Sequence, residues 1–130
     1  MSTVLPVKTP DFLDALHSRV LIGDGAMGTQ LQGFDLDVET DFLGLEGCNE
    51  ILNDTRPDVV AQIHRAYFTA GADLVETNTF GCNLPNLADY NIADRCQELA
   101  YKGTRIARTV ADELGPGRDG MRRFVLGSMG

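Results

Sequence analysis

An α/β fold with parallel strands is predicted by two observations. Three short apolar runs, at residues 20–22, 72–75 and 124–126, each lead at once into a polar, glycine-bearing loop. Segments with helical periodicity separate these runs, which calls for right-handed parallel crossovers. Near-continuous hydrophobic strands are what a sheet covered on both faces requires, and α/β folds place their working residues where such strands end. The loops at the ends of the first two runs therefore mark the candidate site.

Each element has its own warrant. Thr9-Pro10-Asp11 reads as an N-cap, a proline in the first turn and an acidic residue suited to the helix dipole, so a short helix carrying Phe12, Leu13 and Leu16 runs to about Arg19. A first strand is expected from Val20 to Gly23. Residues 26–54 contain Gly28, Gly33, Gly44, Gly47 and Asn53 but no sustained period, and a loop of that length inside a compact domain is usually functional. Thr55-Arg56-Pro57-Asp58 resembles a capping box opening a helix with Val59, Val60, Ile63, Tyr67 and Ala70 on its inner face and Gly71 as its stop. The second strand begins directly after it. Asn91 is placed to cap a long helix whose stripe is Ile92, Cys96, Leu99, Ala100, Gly103, Ile106, Ala107, Val110 and Leu114, ended by Gly115-Pro116-Gly117. A polar linker, 118–123, leads into the third strand.

Composition narrows the function classes. The 130 residues are 43% apolar and 23% charged, ordinary for a globular domain with a core. Lys plus Arg number 11 against 19 for Asp plus Glu, and the formal charge of -8 argues against nucleic acid and anionic membrane surfaces as partners. The N-terminus lacks a basic start followed by an apolar core, and no run is long enough to span a membrane, so a cytoplasmic location is expected. Cys48, Cys82 and Cys96 are odd in number and widely spaced, which suggests reduced thiols rather than a disulfide framework or a zinc knuckle. Cys96 falls on the apolar stripe. Cys82, near a strand end, is placed to touch a ligand.

Gly23-Asp24-Gly25-Ala26-Met27-Gly28 matches G-x-G-x-x-G after an apolar strand. A dinucleotide fold also needs the last glycine to open an amphipathic helix and a second strand within a unit of about 30 residues. Gly33 interrupts the segment after the motif, the next apolar run waits until residue 72, and an Asp between the glycines would repel a pyrophosphate. Asp24 reads better as a carboxylate aimed at a cation, with Gly25 letting backbone N–H groups approach a ligand; a turn Asp bonded to its own backbone is the alternative. Glu76, Thr77, Asn78 and Thr79 stand in a row at the end of an apolar strand, so at least two must point inward. Without partners each would be destabilising by about 1–3 kcal/mol, which a ligand or a positioning network would offset.

These residues carry a specific resemblance. Ile22 to Thr29, Gly47-Cys48-Asn49-Glu50-Ile51-Leu52-Asn53, Thr55 to Val59, His64-Arg65-Ala66-Tyr67, Ala70 to Phe80 and Ala88-Asp89-Tyr90 occur in the order seen at the start of the homocysteine-binding domain of cobalamin-dependent methionine synthases, within the homocysteine S-methyltransferase family. The likeness spans about residues 18 to 130. It implies the N-terminal part of a (β/α)8 TIM barrel, the first two βα units plus the third strand, preceded by an extension and opening helix at 1–19. Such a barrel needs about 250 residues, so the chain reads as an incomplete barrel domain and an N-terminal fragment. The resemblance further implies a methyltransferase that uses zinc to activate the homocysteine sulfur and cobalamin to carry the methyl group from methyltetrahydrofolate. It places the zinc cysteines on later strands, so neither group is expected to be bound by these residues alone.

What the resemblance assigns to this stretch is grip on homocysteine, with no catalytic residue. Asp24 would pair with the ammonium, the Gly25 N–H and Thr77 hydroxyl would meet the carboxylate, Phe80 would line an apolar wall, and Glu76 and Asn78 would orient the others. The remainder of the same polypeptide, including folate and cobalamin modules, is the expected partner. An open three-stranded sheet exposes edges and apolar faces, so the chain alone is expected to self-associate. His17 and His64 read as surface or capping residues, and Asp35, Asp37, Glu39 and Asp41 as a solvated loop. Two other classes compete: a nucleotide-binding α/β domain, which would show a helix from Met27 and a strand before residue 50, and a non-catalytic interaction module.

Overall fold

A computed structural model describes residues 11–130 of the chain. Helix α1 (Phe12–Ser18) is capped by Asp11, whose carboxylate accepts the Asp14 N–H at 2.9 Å. Asp11, not Thr9, is therefore the N-cap, and Thr9 and Pro10 lie outside the described residues, as does most of the expected extension.

The expected first strand is extended chain rather than a laddered strand. The N–H groups of Asp73 and Leu74 both reach the Ile22 carbonyl, at 2.7 and 3.3 Å, but the Ile22 N–H donates to the Asp73 carboxylate at 2.8 Å. A side chain thus replaces the backbone acceptor that would continue the ladder. Two arginines converge on the same carboxylate: Arg19 Nη2 at 2.9 Å and Arg118 Nη2 at 2.5 Å. Asp73 is only 5% exposed. Burial on its own would raise its carboxyl, yet the bonds from Arg118 and Arg19 hold it well below the usual carboxylate range. The predicted linker residue Arg118 is in this way a fastener between the segment leading into the last strand and the start of the sheet.

A short helix α2 (Met27–Leu31) comes next, and the chain then turns irregularly to a 3-10 turn at Asn49–Ile51. Within it Asp37 accepts from Glu39 N, Thr40 N and Thr40 Oγ1 and is solvated as expected, but Asp41 meets Arg56 at 3.2 Å. Helices α3 (Leu52–Thr55) and α4 (Pro57–Ala70) abut. No side chain caps α4, because the Thr55 hydroxyl donates its one hydrogen to the Asp41 carbonyl, so the predicted capping box does not form. Gly71 does end α4, at φ 118°, a value that favours glycine.

Strand β1 (Leu74–Glu76) pairs in parallel with β2 (Phe124–Leu126) in the register Leu74–Phe124, Val75–Val125, Glu76–Leu126. The crossover holds α5 (Leu84–Asp89) and α6 (Cys96–Leu114). Helix α5 occupies a stretch that its Asn and Pro content marks as loop, and Asn83 caps it by accepting the Asn86 N–H. Asn91 belongs to its end rather than to the start of α6: at φ 60° it lets its own N–H reach the Ala88 carbonyl and the Ile92 N–H reach Leu87, a Schellman closure.

The helices pack over the sheet and against one another through a small buried cluster of Ala15, Leu74 and Phe124 and three larger ones. Leu31, Leu52, Val59, Val60 and Ile63 form one, Phe68, Val75, Ala107, Val110 and Ala111 a second, and Cys48, Ile51, Leu87 and Leu99 a third. Burying each of the larger of these side chains contributes about 1.5–3 kcal/mol. The α4 face includes buried Phe68 and His64 in place of the expected Ala70, which is exposed. His64, expected at the surface or a cap, is completely buried. Val20, Ile22, Leu126 and Met129 stay exposed along the extended segments.

Candidate functional site

The carboxyl ends of the first extended segment and of β1 bring Asp24 and Glu76 together. Asp24 Oδ2 accepts the Glu76 backbone N–H at 3.2 Å, and with the Ile22 to Asp73 contacts this shows the two segments running in the same direction. Burial foremost, assisted by the charge of Glu76, pushes the Asp24 carboxyl up to about 6, against the lowering effect of the Glu76 N–H. A half-buried carboxylate beside a second, exposed one favours a cation, which would relieve both. Gly25 is exposed and its N–H has no partner among the described residues. A Cβ there would lie 2.9 Å from the Tyr67 hydroxyl, so the close approach of that ring requires glycine. Phe80, 66% exposed, follows the polar row in the loop after β1.

The polar row after β1 is mostly internal. Thr77, Asn78 and Thr79 are buried, and Glu76 alone is exposed. Thr79 Oγ1 donates to the Ser128 carbonyl at 2.8 Å, and the Ser128 N–H donates to Thr77 Oγ1 at 3.1 Å. A hydroxyl has one hydrogen, so in the 2.6 Å contact between the two threonines Thr77 is the donor. Thr77, only 4% exposed, is therefore closed into a ring that stitches the end of β1 to the end of β2, with its hydrogen directed at Thr79 rather than at an open ligand position.

Asn78 is held similarly. Its side-chain amide donates to the Asn49 carbonyl and to Asn53 Oδ1, both at 3.0 Å, while Asn53 Nδ2 returns a bond to the Asn78 carbonyl at 2.8 Å and another to Leu99 at 3.1 Å. Glu50 accepts the Gly81 N–H at 2.9 Å. Asn49, Glu50 and Asn53 thus support the β1 loop from behind. Sequence reasoning gives them no role, although they stand within the Gly47-to-Asn53 wording. It misses Ser128 and Tyr67 too, and only their contacts across the fold reveal them.

The cysteines gather where the sequence keeps them apart. Cys48 is buried, and Cys82 and Cys96 pack against the same cluster; all are free thiols. Burial raises Cys48 and pushes Cys82 up to about 12, so both are neutral. Cys82 also borders an open depression of about 380 Å³ shared with Thr77, Thr79 and residues 127–130. Among the described residues no group of His, Cys, Asp and Glu has the arrangement to hold a metal ion, and no helix is long and apolar enough to cross a membrane.

The nucleotide reading does not survive this geometry. A helix does begin at Met27, as that reading requires, but it stops at Leu31, and no strand precedes residue 50 among the described residues. Five residues with no side-chain cap do not make the dinucleotide unit.

Known proteins share both the sequence and the architecture. The chain is 69% identical over 121 residues to methionine synthase of Mycobacterium tuberculosis and 65% identical over 120 residues to that of Mycobacterium leprae, matching 92% of its own length each time. It spans about a tenth of the length of these curated relatives, 10% in both cases. Two structures of the homocysteine methyltransferase MmuM from Escherichia coli share the fold: the oxidised form at TM-score 0.70 and 21% identity, over 88% of this chain and 39% of that one, and the metallated form at 0.72 and 22%, over 91% and 41%. The mixed α/β architecture is thus that of part of a larger domain. A family model described as homocysteine S-methyltransferase matches residues 21–130, from the first extended segment through β2 and beyond the Thr77–Ser128 ring, and the chain belongs to that family.

Proposed function

We propose that this chain forms the opening part of a (β/α)8 barrel that binds homocysteine, within a longer polypeptide that transfers a methyl group from methylcobalamin, supplied by methyltetrahydrofolate, to the homocysteine sulfur to give methionine. The observation that carries the reading is the Asp24 and Glu76 pair at the carboxyl end of parallel segments, beside a Gly25 N–H that has no partner among the described residues. A zwitterionic amino acid matches it: ammonium at the Asp24 carboxylate, carboxylate at the Gly25 N–H, and side chain along Phe80. Asn78 and Thr77 would serve by fixing the loop that carries Phe80 and by tying it to β2.

Zinc does not fit the donors present. Cys48, Cys82 and Cys96 sit in or against an apolar cluster rather than as a converging set, and Cys48 Sγ has Glu50 Oε2 at 4.0 Å, a hydrogen-bond contact rather than a ligand pair. The chemistry derived from these residues is therefore binding. Exposed Val20, Ile22, Leu126 and Met129 support the expectation that the chain alone self-associates.

Calorimetry with homocysteine on a polypeptide extending this chain through the whole barrel tests the reading. Asp24→Ala is expected to weaken binding roughly 10- to 100-fold, the effect of losing a charge-assisted hydrogen bond. Absence of binding by the unsubstituted polypeptide would sink the homocysteine assignment.

A further inference from the structure

We infer that Tyr67 is a positioning residue of this site, a clamp that presents the Gly25 N–H to the carboxylate of the bound amino acid; the inference rests on the homocysteine reading above. Tyr67 lies in the last turn of α4 and belongs to the His64-Arg65-Ala66-Tyr67 wording, to which no role in the site attaches. Two independent contacts bind it to the site loop. Its hydroxyl donates to the Ala26 carbonyl at 2.9 Å. Its ring lies directly under Gly25, where an added Cβ would come within 2.9 Å of Oη and 3.3 Å of Cε1 and Cζ.

The ring is itself immobilised by the core. Tyr67 packs against both the cluster around Leu31, Leu52 and Ile63 and the cluster around Phe68, Val75 and Val110, so it transmits the position of the core to the loop. The loop needs such a tether. Residues 23–26 belong to no helix or strand, and Ala26 opens α2 with no side-chain cap. A second restraint at this point is the bond of Asp24 to the Glu76 N–H. Glycine has wide backbone freedom, so an untethered Asp24–Gly25 peptide would rotate its N–H away from any one direction. Holding Ala26 C=O and blocking one face of Gly25 removes that freedom before the ligand arrives, and a preorganised donor binds more tightly than one that must first be ordered.

The test uses the full-length polypeptide of which this chain is part. Tyr67→Phe keeps the ring and removes the hydroxyl; it is expected to raise the homocysteine Kd and KM roughly 3- to 10-fold, the equivalent of one exposed neutral hydrogen bond, with kcat nearly unchanged. Amide hydrogen exchange at Gly25, Ala26 and Met27 should quicken while the melting temperature barely moves. Gly25→Ala should harm binding less in the Tyr67→Phe background, because the hydroxyl that meets the new Cβ is gone. Unchanged exchange in Tyr67→Phe overturns the clamp whatever the protein binds, and so does an affinity loss matched by a global loss of stability. Quickened exchange in a protein that binds no homocysteine would leave the clamp standing and instead refute the homocysteine reading.

Discussion

Acidification from pH 7 to pH 4 is expected to remove about 3 kcal/mol of stability through His64 alone. The residue is 0% exposed, and neither ring nitrogen has a hydrogen-bond partner. Burial depresses its pKa from the ordinary 6.5 to about 4. For a base whose folded value is lowered, the unfolded chain takes up its proton first; the stability is complete above 6.5 and is lost as pH falls toward about 4. The gap, at about 1.36 kcal/mol per pH unit, gives the 3 kcal/mol, of which about 2 should be gone by pH 4.5. Asp24 acts in the opposite sense over the same window, since a carboxyl raised to about 6 favours the folded state at low pH and that gain fades as pH rises through 6. The wild-type curve alone therefore understates His64. Urea unfolding at pH 7, 6, 5 and 4.5 on the wild type and on His64→Leu separates the two, because Asp24 is common to both. The difference between the proteins should grow by about 2 kcal/mol across the series, Leu gaining relative to His. A difference that stays flat with pH would refute a neutral, unpartnered imidazole inside α4.

Three further outcomes rest on individual contacts. Asp73→Asn should lower unfolding free energy by about 1–3 kcal/mol, measured by denaturant titration, because it removes the buried charge that Arg19 and Arg118 share while leaving both arginines open to water. Asn53→Asp should be more damaging than Asn53→Ala in thermal unfolding, since a buried carboxylate would face the Asn78 and Leu99 carbonyls that the amide now serves. Homocysteine affinity, measured by calorimetry on the barrel-length polypeptide, should rise roughly tenfold from pH 5 to pH 7 as Asp24 ionises with a value of about 6, and Asp24→Asn should flatten that dependence.

The parts of the fold legible in the sequence are those dictated by local periodicity. The α4 and α6 stripes, the Gly71 and Gly115 stops and the apolar runs of β1 and β2 all stem from spacing and backbone freedom. The misses share a cause: a polar group took a partner that spacing alone does not indicate. Asp73 replaces a backbone acceptor and so interrupts the first ladder. Thr55 turns to Asp41 instead of capping α4, and Asn91 closes α5 instead of opening α6. His64 shows the complementary error, in which residue type suggests the surface and packing overrides it.

The candidate site is legible as a row of polar residues at a strand end, but the partition of labour within the row is not. Alternation along a strand predicts two inward side chains where three in succession, Thr77, Asn78 and Thr79, are buried, and it cannot say whose hydrogen is already committed. Thr77 donates to Thr79, Thr79 to the Ser128 carbonyl and the Ser128 N–H back to Thr77, a closed ring in which neither threonine has a hydrogen left for a ligand. On the proposed function the donor that remains for a substrate carboxylate at this loop is the Gly25 backbone N–H, which gives the glycine resting on the Tyr67 ring more weight than the two threonine hydroxyls. The distinction is measurable. Thr77→Val and Thr79→Val break the same ring, so both should loosen the β1 to β2 junction by about 1–3 kcal/mol and weaken homocysteine binding by similar factors. If Thr77 instead touched the ligand directly, Thr77→Val would weaken binding well beyond Thr79→Val at equal loss of stability, and the ring would not be the reason those threonines stand at the end of β1.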